Sequence, residues 1–492
     1  MSEPSKLKLY NTLYKKEEVF STIEEGKVKM YTCGPTVYGR PHIGNYASFL
    51  MADLLRRWLE VSGYSVSHVK NITDVGHLVA DSDEGEDKVE KQAKQEKKDP
   101  LEIAKKYEAM YLEDEASLNM LEPFKRPRAT KTIKEMIELV KTLEEKGLTY
   151  EIEDGIYFSV EKFADYGKLS GNTLENLNAG ARVEVKDKKK HPADFALWKK
   201  CVGENADHIL RWDSPWGEGF PGWHIECSAM SMKFLGSELD IHTGGEDNIF
   251  PHHECEIAQS ECATGKNFSR FWIHRRRIDM GSEKMSKSLG NVLSIVDVIA
   301  KGYSPLDLRY LFLSVHYRTN LKFSWKGVDD AKKARRKIME WIIETGEQAF
   351  LPAVSKSDEA KKEKKEKQEH PSSGAVGKYL EKFVDTMNAD LNTPGALAVV
   401  FDCMAWSRNQ KEWSHEELEE LHDFIAMVRH TFGCFDPEEV EDVPDEVQKL
   451  LDERQVARSK KDFEASDKLR DQICGLGWEV RDEGGGQEVR KL

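Results

Sequence analysis

Three groups of residues have types and spacings that could do chemistry. The first is the loop Cys33-Gly34-Pro35-Thr36-Val37-Tyr38-Gly39-Arg40-Pro41-His42-Ile43-Gly44-Asn45. Gly34 and Gly39 have the separation of P-loop glycines, but Arg40-Pro41 follows where Lys and Ser or Thr must stand, and Pro41 has no N–H to offer a phosphate. What remains is a helix start opened by His42 and Gly44. Glycine permits close backbone approach, the helix end favours an anion, and His42 can donate to a phosphate oxygen. An ordinary strand-to-helix turn explains these residues equally well. The second group is Gly281-Ser282-Glu283-Lys284-Met285-Ser286-Lys287-Ser288-Leu289-Gly290, a flexible cationic loop in which Lys284 and Lys287 could neutralise a polyphosphate as its leaving group departs. The third is Cys33, Cys227, His252 and Glu256, the last two spaced one helical turn apart. Two thiolates, an imidazole and a carboxylate suit tetrahedral zinc, with His253 and Cys255 as competitors. By spacing alone, buried structural cysteines are the commoner explanation.

Elements must hold these groups in place. Lys27 to Cys33 reads as a strand, Ile43 to Ser62 as a helix with Leu50, Leu54, Leu55, Trp58 and Leu59 on one face, and Tyr64 to Val69 as a second strand, which makes a βαβ unit with a parallel sheet. Residues 81–147 are charged and helical, and short strands follow around Tyr150 to Tyr166. Strand-helix character returns over 222–300, so an insertion splits one α/β domain. From about 325 the chain is mainly helical, and Lys356 to Glu369 is a low-complexity charged linker. The last fifty residues begin with a charged helix over 457–473 and end in short turns.

Composition narrows the function classes. The chain has 492 residues, enough for several domains, with 39% hydrophobic and 33% charged residues and a mean hydropathy of −0.63. No apolar run approaches the roughly 20 residues of a membrane span, and no secretory signal is visible, so no membrane is expected as a partner and the compartment expected is the cytoplasm. A net charge of −15 argues against a nonspecific nucleic-acid coat, though a local basic face is enough to engage phosphates. The eight cysteines form no C-x-x-C pair, so mostly reduced thiols are expected.

Pro41-His42-Ile43-Gly44-Asn45 and Lys284-Met285-Ser286-Lys287-Ser288 resemble the two signature segments of class I aminoacyl-tRNA synthetases. More narrowly, the chain is similar to the cysteinyl-tRNA synthetases. The similarity is carried by Tyr31 to Tyr38, Asn71-Ile72-Thr73-Asp74, Pro215-Trp216-Gly217, Gly222 to Ser228, Phe250-Pro251-His252-His253-Glu254, Asp390 to Pro394 and Lys461-Asp462-Phe463. Asn45, Phe220 and Cys255 depart from that pattern, where His, Arg and Asn are usual.

The resemblance implies an α/β fold: a Rossmann-like parallel-sheet catalytic domain split by an insertion, then a helical anticodon-binding bundle and a small C-terminal module. The boundaries expected are 1–125 and 206–300 for the two catalytic halves, 126–205 for the insertion and 301–354 for a stem-contact helical region. A linker at 355–375, the bundle at 376–442 and the terminal module at 443–492 complete the chain. It implies ATP-dependent activation of L-cysteine to cysteinyl-adenylate and transfer to the terminal adenosine of tRNA(Cys). His42, Lys284 and Lys287 are implied as catalytic, and Gly34, Thr36, His42, Gly44, Asn45 and Lys287 as nucleotide-binding. Thr73 and Trp223 become substrate-pocket walls, and Cys33, Cys227, His252 and Glu256 the ligands of one Zn2+ per chain, with Mg2+ arriving on ATP. The substrate's own sulfur would then ligate zinc, which separates cysteine from serine without an editing domain. A monomer is expected.

All these catalytic residues precede 355, so adenylation is expected to need nothing beyond that point. Given the resemblance, the basic run Lys332 to Lys337 is a plausible phosphate-contacting surface. One alternative is a tRNA-independent cysteine ligase on the same catalytic fold, against which the helices after about 375 speak. Another is a zinc-stabilised RNA-binding protein without catalysis, disfavoured by the intact loop from Lys284 to Ser288.

Overall fold

Along the strand Lys27–Thr32, Val28 and Met30 turn to one face while Tyr31 and the following Cys33 turn to the other, and both faces are buried. That strand lies inside a four-stranded, wholly parallel sheet in the order Ser269–Arg275, Leu239–Gly245, Lys27–Thr32, Ser65–Lys70. In this computed structural model the described residues are 5–79, 85–180, 189–280, 283–284, 292–345, 374–411, 413–436, 443–460, 462–483 and 486–491.

The order of strands fixes where a ligand can bind. From Lys27–Thr32 the chain crosses to Ser65–Lys70 on one side, whereas Leu239–Gly245 crosses to Ser269–Arg275 on the other. The two central strands therefore make a topological switch point, and the crevice outside their carboxyl ends is the binding place of open α/β sheets. Cys33 stands there, its N–H donating to Thr243 O of the neighbouring strand (3.3 Å).

The helix Ile43–Val61 crosses one face of the sheet and buries Leu50, Leu54, Leu55, Trp58 and Leu59. On the other face lie the helices Ile133–Glu145, Trp223–Leu235 and Glu254–Thr264, sharing a second core with an antiparallel sheet in the order Thr149–Ile152, Gly155–Phe158, Phe195–Lys200, Gly219–Pro221. The last of those strands runs into the helix beginning at Trp223. Gly222 joins them because its backbone presses on residue 196: a Cβ would come within 2.1 Å of Ala196 O.

By contacts the chain divides into two units. One comprises Met1–Ile299, Tyr303–Gln348 and Pro352–Phe435, and the other is chiefly Asp436–Leu492. The helices Ala375–Asn388, Thr393–Ser407 and His415–Phe432 thus belong with the parallel sheet, and Phe383, Phe424, Phe432 and Phe435 share one core with Trp58 and Leu55. The first core is completed by residues up to Phe435, so the fold that holds the adenylation residues, all of them before 355, draws on chain beyond that point. The second unit packs Asp445–Ser459 and Phe463–Gly475 with a hairpin, Trp478–Glu483 and Gly486–Lys491, around Val447, Leu451, Ile473, Trp478 and Val480. Two expectations change there. The helix over 457–473 is interrupted before Phe463, where the Asp462 carboxylate caps the new helix by accepting from Ala465 N (3.1 Å). The terminal turns are a β-hairpin instead.

Candidate active site and metal centre

Cys33, Cys227, His252 and Glu256 converge from four pieces of chain. Cys33 follows the central strand, Cys227 lies on the second turn of Trp223–Leu235, His252 sits in the irregular turn Ile249–His253, and Glu256 is on the helix that continues it. Their ligating atoms all fall within 4.8 Å of one another. Cys33 Sγ is 3.8 Å from Cys227 Sγ and 3.5 Å from Glu256 Oε1, and His252 Nε2 is 3.1 Å from the same carboxylate oxygen. None of the four is more than 7% exposed.

Imidazoles surround this set. His242 Nε2 lies 3.0 Å from Glu256 Oε2, His224 Nδ1 lies 2.9 Å from His252 Nδ1, and His253 Nδ1 lies 2.8 Å from His274 Nε2. His253 Nε2 is also 3.3 Å from Cys33 Sγ, so Cys33, His242, His253 and Glu256 form a second, overlapping donor set. Burial, then the neighbouring Cys227 and Glu256, push the Cys33 thiol well above its usual range. Burial and the adjacent His224 hold His252 well below the usual imidazole range, so the ring is neutral. Among the described residues no lysine or arginine pairs with Glu256, which leaves a buried carboxylate among thiols and neutral rings. A divalent cation would reverse this unfavourable arrangement, drawing the thiols to thiolate and pairing the carboxylate. The donors therefore fit a metal ion.

Beside the cluster stands an aromatic column. Trp223 stacks on His252 (centroids 4.2 Å) and, on its other side, on His77 (3.9 Å, planes 9° apart). Thr73 lies in the loop after Ser65–Lys70, where its N–H donates to Pro35 O (3.0 Å) and its hydroxyl accepts from Asn71 Nδ2 (3.1 Å). The loop following Cys33 is thereby sewn to residues 71–73. Gly34 is held so closely that a Cβ would come within 1.7 Å of Asn71 O, and Thr36 Oγ1 is 2.6 Å from His77 Nδ1.

His42 caps the helix Ile43–Val61, with its N–H donating to Asn45 Oδ1 (3.1 Å), so Asn45 closes the first turn. Gly44 lies in that turn. Ile43 N–H donates to Leu293 O (2.8 Å), which brings the first signature segment to the chain just after the second. The backbone of Glu283–Lys284 pairs with Ile278–Met280, Lys284 opposite Asp279. Lys287 and residues 355–373 of the expected 355–375 linker lie outside the described residues, and a helix already begins at Ala375.

Phe220 and Cys255 pack locally: Phe220 stacks on His208 (3.8 Å), and Cys255 Sγ meets the Tyr166 hydroxyl (3.5 Å) and joins neither donor set. The basic run 332–337 is divided, for Arg335 is buried and donates to Cys434 O (2.7 Å) and Asp307 (3.1 Å). Sequence reasoning missed His77, His224, His242 and His274. Their signal was faint: His224 opens a helix and His274 nears a strand end, but His242 is mid-strand and His77 lies in a loop, each an isolated histidine in its element.

A family described as tRNA synthetases class I (C) catalytic domain matches residues 19–333. A DALR domain matches 382–436, and a cysteinyl-tRNA ligase anticodon binding domain matches 440–490. A cysteine–tRNA ligase of Chlorobium chlorochromatii is 41% identical, with 97% of each chain covered. One from Caldicellulosiruptor saccharolyticus is 42% identical over 99% of this chain and all of that one. Among solved structures, a Mycobacterium tuberculosis methionyl-tRNA synthetase in complex with methionyl-adenylate shares the fold, with TM-score 0.53 at 12% identity over 83% of this chain and 90% of that one. The anticodon-domain match overturns the tRNA-independent alternative. With an enzyme's catalytic domain at one end and an anticodon module at the other, the chain belongs to the cysteine–tRNA ligase family of class I aminoacyl-tRNA synthetases.

Proposed function

We propose that this chain joins L-cysteine to tRNA(Cys) in two steps. The cysteine carboxylate attacks the α-phosphate of ATP and pyrophosphate leaves, giving cysteinyl-adenylate. A hydroxyl of the terminal tRNA adenosine then attacks the acyl carbon and AMP leaves. The observation that carries this reading is the convergence of Cys33, Cys227, His252 and Glu256 beside Trp223, at the switch point of the parallel sheet.

Those four residues would hold one zinc ion. Zinc would supply a soft acceptor that takes a thiol as thiolate and leaves the hydroxyl of serine behind. Everything else falls to the chain itself. Trp223 and Thr73 wall the amino acid. The helix start at His42, Gly44 and Asn45 turns its N–H groups and positive end towards nucleotide phosphates, and the tight turn at Gly34 with Thr36 frames the same space. Lys284 and Lys287 neutralise the departing pyrophosphate, whose charge a Mg2+ arriving on ATP would share. No side chain need act as a general base, so positioning and charge stabilisation carry the rate. The DALR helices and the terminal unit would hold the tRNA of a monomeric, cytoplasmic enzyme.

Cysteine-dependent ATP–pyrophosphate exchange tests the reading directly. Exchange driven by cysteine and not by serine, with one zinc per chain by atomic absorption, is the expected result. Equal exchange with serine would refute it.

A further inference from the structure

His77 and Lys88 lie beside the proposed site with no role in the adenylation as described. Lys88 Nζ lies 2.7 Å from His77 Nε2, and His77 Nδ1 lies 2.6 Å from Thr36 Oγ1. An ammonium has only hydrogens to give, so Nε2 must accept, and the ring's own hydrogen must sit on Nδ1 and be donated to Thr36. One lone pair of Thr36 Oγ1 is thus occupied, and its O–H is left to donate elsewhere. Among the described residues Thr36 Oγ1 has no second partner, and the residue is only half-buried. Thr36 stands three positions after the metal-site Cys33, and the following N–H, of Val37, donates to Thr73 O (3.0 Å). The same His77 ring backs the Trp223 wall at 3.9 Å.

Resting on the proposed adenylation, we propose that Lys88 and His77 are positioning residues that fix the Thr36 hydroxyl as a donor to an anionic oxygen of the reacting pair. That oxygen belongs either to the cysteine carboxylate or to the α-phosphate of ATP. The aligned donors Nζ–H, Nδ1–H and Oγ1–H run in one direction, from the ammonium towards the reactants. This prepares a hydroxyl dipole before substrate arrives, so little reorganisation is needed at the transition state.

The test uses the full chain, reading cysteine-dependent ATP–pyrophosphate exchange together with metal content and Tm. His77→Phe keeps a ring against Trp223 but has neither nitrogen. It should lower kcat/KM about tenfold, less than the roughly hundredfold expected for Thr36→Val, which removes the donor itself. The double variant should be no slower than Thr36→Val alone, because the two act through one hydroxyl. His77→Asn, whose side-chain N–H can stand where Nδ1–H stood, should recover most of the loss. A rise confined to the KM for cysteine identifies the carboxylate as acceptor, one confined to ATP identifies the phosphate, and a fall in kcat alone places the contact in the transition state. Additive losses in the double variant, unaltered exchange in His77→Phe, or no recovery in His77→Asn would each overturn the relay. Absence of exchange in the unaltered chain would instead overturn the functional reading, and the relay with it.

Discussion

In the proposed reading, Cys227 is the residue on which metal retention and substrate choice meet. Replacing its sulfur with oxygen in Cys227→Ser leaves one thiolate, one imidazole and one carboxylate, a harder set that zinc prefers less. His242 and His253 lie close enough to Cys33 and Glu256 to offer an alternative. Yet His242 Nε2 already faces the carboxylate, so turning it to a metal would cost Glu256 that partner. The variant should therefore lose metal affinity by more than the roughly 10–100-fold typical of removing an outer hydrogen-bond partner, and should lose preference for cysteine over serine. Dialysis against a chelator followed by metal analysis checks the first, and competitive exchange the second. Full metal with unaltered selectivity would contradict the assignment. Trp223→Ala removes the ring between His77 and His252. If Trp223 walls the amino acid as proposed, losing about one hydrophobic contact's worth of binding, ~1.4 kcal/mol, should raise the KM for cysteine about tenfold while that for ATP changes little.

At the scale of elements, Asp53 shows how the helix Ile43–Val61 is fixed to its neighbours. Its carboxylate accepts from Arg309 Nη2 (2.6 Å), Arg57 Nε (2.9 Å) and Leu121 N (2.7 Å), while Arg309 and Arg57 also donate to Phe432 O and His430 O at the end of the helix His415–Phe432. Burial alone would raise the Asp53 carboxyl, but the two guanidinium groups outweigh it and hold it far below its usual range. A depressed folded value means stability that is present above the unfolded pKa of about 3.9 and lost as pH falls through and below it. Asp53→Asn leaves buried guanidinium charge uncompensated and should cost about 3–5 kcal/mol at pH 7, read by urea unfolding. Between pH 5 and 3 the variant should lose less stability than the natural chain; equal slopes would show that Asp53 is not the titrating group.

The βαβ unit was legible because the apolar periods of Lys27–Thr32 and Ile43–Val61 depend only on near neighbours. The donors Cys33, Cys227, His252 and Glu256 were named by resemblance, their dispersal along the chain hiding them from spacing. His242 and His274 stayed hidden because their meeting depends on Leu239–Gly245 pairing with Ser269–Arg275, with His242 opposite Trp272. Nothing local to either residue records that pairing. The same holds for His77, whose partners Thr36 and Trp223 come from separate elements.

For the whole molecule, the place to cut follows from where the first core ends. A truncation near 355 would remove Phe383, Phe424, Phe432 and Phe435 from the core around Trp58, and would take away Asn388, whose Oδ1 accepts from Trp58 Nε1 (3.0 Å). Each large aromatic lost from such a site costs about 3–5 kcal/mol, and several together exceed the 5–15 kcal/mol that holds a typical domain. That fragment should be unfolded by near-UV circular dichroism. A chain ending at Asp436 removes instead the second unit, whose core of Val447, Leu451, Ile473, Trp478 and Val480 is its own. It should remain folded and keep cysteine-dependent ATP–pyrophosphate exchange within about twofold, since the Cys33, Cys227, His252 and Glu256 donors, Trp223 and the Thr36 loop all lie in the first unit. Charging of tRNA should behave differently. The removed unit matches an anticodon binding domain and presents Arg458, Lys460 and Arg470 on or beside its helices. Holding one tRNA at two places makes the second contact intramolecular, at an effective concentration in the millimolar range, so its loss should weaken tRNA use by about a hundredfold or more. The effect should fall on the KM for tRNA and be partly compensated by raising its concentration. A folded fragment that charged tRNA(Cys) as efficiently as the full chain would show that the terminal unit does not hold the tRNA.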